Sequence, residues 1–211
     1  MTILAGTSAF ADGSTSPLNG SIILNSQTQL HTVESNVSTE AMNVNTGDFA
    51  AQSIAGGNAV DITTMQDTNV TNSQYTSSID IGASLSANVK NVYGDATLSS
   101  QAFCNNASVS TDPTTTVVYS QQECQAQDPS ASLSATVQNV GGGLSSSAVS
   151  LGNNFEEDTN APNAPVQNYQ LNASNVSAIN NTNAYNVQGS VSIVGQAIGN
   201  NAQIVHYNIG N

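Results

Sequence analysis

Polar and small apolar residues alternate along most of the chain, and the alternation repeats in phase with itself. In "SIVGQAIGNNAQIVHY", Ser192 to Tyr207, it runs, pauses at Gly199-Asn200-Asn201 and resumes. A period of two residues places successive side chains on opposite faces of a β-strand. Helical spacing is weak throughout, so the pattern predicts an all-β chain whose strands are separated by Gly- and Asn-rich breaks.

The same phrase recurs four times. Gly47, Gly94, Gly142 and Gly189 lie 47, 48 and 47 residues apart, and an asparagine follows each by 11 residues: Asn58, Asn105, Asn153 and Asn200. An Asn-Val pair precedes each glycine, at Asn43, Asn91, Asn139 and Asn186. Val70, Val118 and Val166 keep a step of 48, as do Gln74, Gln122 and Gln170. Four units follow, 22–69, 70–117, 118–165 and 166–211, behind an N-terminal arm, 12–21.

Two, four and six residues apart around each Asn stand mostly apolar columns: Gly56, Phe103, Leu151 and Ile198 before it; Val60, Ala107, Phe155 and Ala202, then Ile62, Val109, Glu157 and Ile204, after it. Their even spacing assigns them to one strand face. The Gly and Asn between them suit a left-handed turn, so the unit reads as strand, Gly-Asn turn, strand. Glu156, Glu157 and Asp158 break the pattern of the third unit and read as a bulged or looped-out corner. None of the prolines interrupts a repeated strand, as ladder hydrogen bonding requires.

Composition narrows the architecture. Hydrophobic residues make up 38% of the chain and aromatics 5%, with no Trp, which is too little for an ordinary sandwich core. Low hydrophobicity with net charge is also a mark of disorder. The repeat favours a β-solenoid of four ~48-residue units, whose thin core accepts small residues and stacked amides. Each unit is either two coils of about 24 residues or one coil with three faces. A four-bladed β-propeller is the alternative, although blades carry larger side chains than these.

The formal charge is −13, and Lys90 is the one basic residue among Lys and Arg. Such a surface repels nucleic acid. Ala9-Phe10-Ala11 fits a small-x-small cleavage pattern, so residues 1–11 read as the remnant of a secretory signal and the protein as secreted, extracellular or on the outer cell surface. Secretion suits one disulfide between Cys104 and Cys124, tying adjacent coils.

The last unit, "SVSIVGQAIGNNAQIVHY" from Ser190, resembles the repeat of curli subunits at Ser190, Gln196, Gly199, Asn201 and Ala202. "SIAGGNAVDI" keeps Gly57, Asn58 and Ala59, and "QAFCNNASV" keeps Gln101, Asn106 and Ala107. Curlin repeats are about half as long, so the likeness covers one half of each unit. In composition and organisation the chain is also similar to the holdfast-anchoring proteins of stalked alphaproteobacteria. These resemblances imply a curlin-like coil, export through a curli-type pore, and self-association or contact with other cell-surface proteins, matrix proteins or polysaccharide.

No pattern of a nucleophile elbow, zincin or P-loop is present, and His31 and His206 stand at different offsets as two solvated side chains. "GGNAVD" from Gly56 echoes a calcium nonapeptide but lacks its third glycine. The reading is therefore not an enzyme, with no cofactor and no metal. It is a secreted structural or adhesive cell-surface protein, either a fibre subunit or a matrix or holdfast anchor. An extracellular glycan-binding β-repeat module is the alternative, and it requires Tyr75, Tyr93, Tyr119, Tyr169, Tyr185 and Tyr207 to gather on one face.

Overall fold

A computed structural model describes residues 21–78, 80–111, 116–126, 128–160 and 164–207. The signal segment 1–11, most of the arm 12–21, Pro113 and Pro162 lie outside them. Twelve strands follow in order: β1 Ser21–Gln29, β2 Val33–Val44, β3 Phe49–Thr64, β4 Thr68–Thr76, β5 Ile81–Val92, β6 Ala96–Thr111, β7 Thr116–Cys124, β8 Ser130–Val140, β9 Leu144–Thr159, β10 Val166–Asn172, β11 Ser177–Val187 and β12 Val191–His206.

Every third strand belongs to the same sheet. The orders are β1-β4-β7-β10, β2-β5-β8-β11 and β3-β6-β9-β12. All ladders are parallel and join residues 47 or 48 apart, as in Asn58↔Asn105↔Asn153↔Asn200. This is a β-solenoid whose coil has three strands. The propeller alternative is overturned, because its blades pair consecutive strands antiparallel, whereas here each strand pairs with its counterpart in the next coil.

The interior has two apolar parts. One, between the second and third sheets, contains Ile81, Leu85, Val89, Leu98, Leu133 and Val137. The other, between the first and third sheets, contains Ile62, Val70, Val109, Val118 and Phe155. Between them the third-sheet strands bend. Cys104 and Asn105 are both fully buried, so two consecutive residues face inward and the alternation changes phase.

That bend corrects two expectations. The Gly-Asn step is a corner inside a continuous strand and not a left-handed turn. The left-handed residues are instead Asn43, Asn91, Asn139 and Asn186, with φ between 53 and 59°, together with Asp128 and Gly47. An Asn tolerates this conformation because its short side chain bonds locally, and here each asparagine bonds its neighbour in the next coil: Nδ2 of Asn91, Asn139 and Asn186 donates to Oδ1 of Asn43, Asn91 and Asn139 at 2.8–2.9 Å. Second, the column Gly56, Phe103, Leu151, Ile198 does not share a face with the columns after the Asn. The doubled inward position turns it outward.

Three of the repeated glycines, Gly94, Gly142 and Gly189, are set by close approach of the coils, and Gly47 by its positive φ of 91°. A Cβ on Gly94 would lie 2.5 Å from Gly47 O, and one on Gly189 would lie 2.7 Å from Gly142 C. Gly56 is explained similarly: the ring of Phe103 lies over it, and a Cβ would come 2.2 Å from Phe103 Cζ. The likeness of "GGNAVD" to a calcium loop is thus accounted for by packing.

Candidate functional site

Three amide columns run through all four coils, and their direction is uniform within each. In the first, Nδ2 of Asn58, Asn105 and Asn153 donates to Oδ1 of the next asparagine, ending at Asn200, at 2.9, 2.7 and 2.8 Å. The same nitrogens also donate to backbone carbonyls of the first sheet, those of Tyr75, Glu123 and Leu171. In the second, Nε2 of Gln74, Gln122 and Gln170 donates to Oε1 of the preceding glutamine, starting at Gln27, at 2.8–3.0 Å. These nitrogens donate in turn to carbonyls of the third sheet, Asn106, Asn154 and Asn201. Asparagines thus brace the third sheet to the first, and glutamines brace the first to the third. Such rows satisfy buried amides without apolar bulk.

The sequence pattern marks Gln74, Gln122 and Gln170 only as spacers. Gln27 escapes it. The signal available was the amide residue type itself at one offset, which in a stacked coil has to find a partner above or below.

The third column is the left-handed Asn43, Asn91, Asn139 and Asn186. Beside it Gly47, Gly94, Gly142 and Gly189 join by backbone hydrogen bonds of 2.9–3.0 Å. Asp48 and Asp95 each accept a backbone N–H from the next coil, that of Asp95 at 2.9 Å and that of Gly143 at 2.6 Å. Cys104 in β6 and Cys124 at the end of β7 are disulfide-bonded, with Cα atoms 5.7 Å apart, and link consecutive coils.

The acidic run of β9 is not a looped-out corner. β9 is continuous, and the side chain of Glu157 is fully buried in the column of Ile62, Val109 and Ile204. Burial raises its pKa above the ordinary value near 4.5, with Asp158 adding to the rise and His206 opposing it. His206 is therefore not simply a solvated side chain: it stands beside this buried carboxylate. His31 lies just beyond β1, far along the chain from His206, and the two are not part of any metal-type cluster among the described residues.

The tyrosines divide. Tyr75, Tyr119 and Tyr169 share the outer face of the first sheet, on three successive strands and at different register positions. Tyr185 is on the second sheet, Tyr93 in the following corner and Tyr207 beyond β12.

Both ends of the solenoid are open among the described residues. Inward positions of the last coil are uncovered: Val191, Ile193 and Ile204 are 49, 45 and 47% exposed, while their counterparts Leu144, Ser146 and Glu157 are 2, 1 and 0% exposed. No helix is long and apolar enough to cross a membrane among these residues.

The described residues thus form a parallel-stacked solenoid of three sheets with uncovered ends. The family model of holdfast attachment protein D matches residues 5–173. The chain belongs to the holdfast attachment protein D family. No curated protein and no solved structure matches it. The match takes in the first three coils, β1 to β9, and reaches past β10. Family membership gives the chain a role in cell-surface adhesion, at the holdfast.

Proposed function

We propose that the protein is a secreted, non-enzymatic anchor that joins the outer cell surface to extracellular matrix. The observation that carries this is the open three-sheet solenoid in a holdfast attachment chain: a stiff rod with strand edges at each end. Residues 1–11 act as the export signal, and the low-charge repeat chain passes unfolded through a curli-type pore. Gly47, Gly94, Gly142 and Gly189 let the coils approach, and Asn58, Asn105, Asn153 and Asn200 hold them in register. Partners are other cell-surface or matrix proteins, polysaccharide, or further copies of this chain as a fibre subunit in curlin style.

Glycan binding is the second reading. Tyr119 and Tyr169, with the half-buried Tyr75 on the same face, favour it, because exposed aromatic rings on one flat face offer stacking surfaces for sugar rings. The test of the anchor is the cell that lacks this chain. It should still make holdfast polysaccharide but release it under shear, and resupply of the full chain should restore retention. Undiminished retention without the chain would end the anchor reading. For the glycan reading, Tyr119→Ala with Tyr169→Ala should lower binding to isolated holdfast polysaccharide while leaving the β-rich circular dichroism spectrum unchanged.

A further inference from the structure

Among the described residues the amide columns end unpaired, and they end in complementary ways. Asn200 accepts from Asn153, but among the described residues its Nδ2 has no acceptor. At the other end Asn58 donates to Asn105, and its Oδ1 accepts from none of the described residues. The glutamine column has the opposite polarity: Gln170 Oε1 is left without a donor, while Gln27 Nε2 makes one bond, to Ala59 O, where each later glutamine makes two. In the left-handed column, among the described residues, Asn186 Oδ1 lacks a donor and Asn43 Nδ2 lacks an acceptor.

We propose that the C-terminal face of one copy docks on the N-terminal face of a second copy, head to tail, continuing the three parallel sheets and all three amide columns across the junction. This rests on the reading of the chain as an assembling cell-surface anchor and names the partner and register of its open ends. The coil step places Phe49 of the second copy over Val191, Ala55 over Ala197, Asn58 over Asn200 and Ile62 over Ile204. Asn200 Nδ2 then meets Asn58 Oδ1, Gln27 Nε2 meets Gln170 Oε1, and Asn43 Nδ2 meets Asn186 Oδ1.

Charge favours the same pairing. All 14 acidic residues precede Thr159, so the last coil carries none in a chain of net charge −13. The first coil carries Glu34, Glu40, Asp48 and Asp61. Joining two N-terminal faces would set those carboxylates against each other. Joining two C-terminal faces would reverse the direction in which the facing coils wind, so that the columns no longer continue onto their own counterparts. The heterologous contact pairs the donor of every column with the acceptor of the same column and the acidic coil with the neutral coil, and a heterologous contact that does not close makes a filament.

The experiment is light scattering and electron microscopy of the full chain at micromolar concentration, in low and raised salt. The expected result is unbranched filaments, with a ~4.8 Å spacing along the axis, that grow faster as salt screens the net charge. Ile193→Lys should be monomeric alone. Mixed sparsely into wild type it should shorten the filaments, since its N-terminal face is intact and adds to a growing end. Asn200→Asp keeps the acceptor for Asn153 but removes the outward donor, so it should weaken assembly on the order of tenfold or more with an unchanged circular dichroism spectrum. Closed dimers, filaments that Ile193→Lys and Asn200→Asp still form normally, or monomers whose first coil is covered by residues 1–20 would each overturn the proposal. Monomers that still retain polysaccharide on cells would do so while leaving the anchor reading standing.

Discussion

His206 Nε2 stands 3.4 Å from Glu157 Oε2, across the join between the third and fourth coils. The Glu157 side chain is fully buried and neither of its oxygens makes a well-formed hydrogen bond. A carboxylate in this position is desolvated and incompletely compensated, which is the condition that raises a pKa.

The sign of the pH effect follows. The folded protein holds the Glu157 proton more tightly than the unfolded chain, so this residue lowers stability as pH rises from about 4.5 upward through the raised value. Glu157→Ile restores the apolar column of Ile62, Val109 and Ile204. It should stabilise the protein at neutral pH by about 1–3 kcal/mol, because replacing an incompletely paired buried ion with a packed apolar residue is often favourable. Thermal unfolding over a pH series should show the wild type gaining on this variant as pH falls toward the ordinary carboxyl range. Equal slopes for the two would mean that Glu157 does not titrate as described.

Asn105 is fully buried and sits at the centre of its column, with Asn58, Thr76, Asn153 and Glu123 O as partners. Asn105→Ala leaves several buried polar groups unpaired and should cost about 3 kcal/mol or more, at 1–3 kcal/mol for each stranded group. Asn201→Ala removes an exposed amide that donates to Asn154, and should cost about 0.5–1 kcal/mol. Urea unfolding of the two variants gives the comparison.

Gly94→Ala drives a methyl against Gly47 O and should destabilise by about 3 kcal/mol, within the range for backbone clashes and overpacking. Gly82→Ala should be nearly neutral, since the nearest atom to its Cβ would lie 3.8 Å away. A tolerated Gly94→Ala would show that the coils can separate at this corner without loss.

Cys104 and Cys124 close a loop of 20 residues. Replacing both with Ala should lower stability by about 3 kcal/mol on the chain-entropy account, read as a lower melting temperature that added reductant does not lower further. Wild type in reductant should approach the variant.

The coil length was legible because each coil of a parallel stack meets the same steric demands as the one before it. Glycine must recur at 94, 142 and 189, where backbones touch, and stands at 47 with a left-handed φ of 91°. Amides must recur where each one's partner is its own counterpart, as at Asn58 and Asn105. One-dimensional periodicity therefore carries the stacking, and with it the all-β class.

What lay beyond the pattern was the shape of a coil in cross-section. Whether Gly57-Asn58 turns the chain or merely bends a strand depends on what packs on either side. The packing of two separate apolar clusters against one long sheet makes it a bend with doubled inward residues. Glu157 looked like a solvated corner because its sequence neighbours are acidic. Its place in the apolar column was decided by Val109 beneath it and Ile204 above it, residues 48 and 47 away in the chain. Spacing along a chain records contacts that repeat; which face a side chain takes, and what stands beside it there, is set by the closing of the coil.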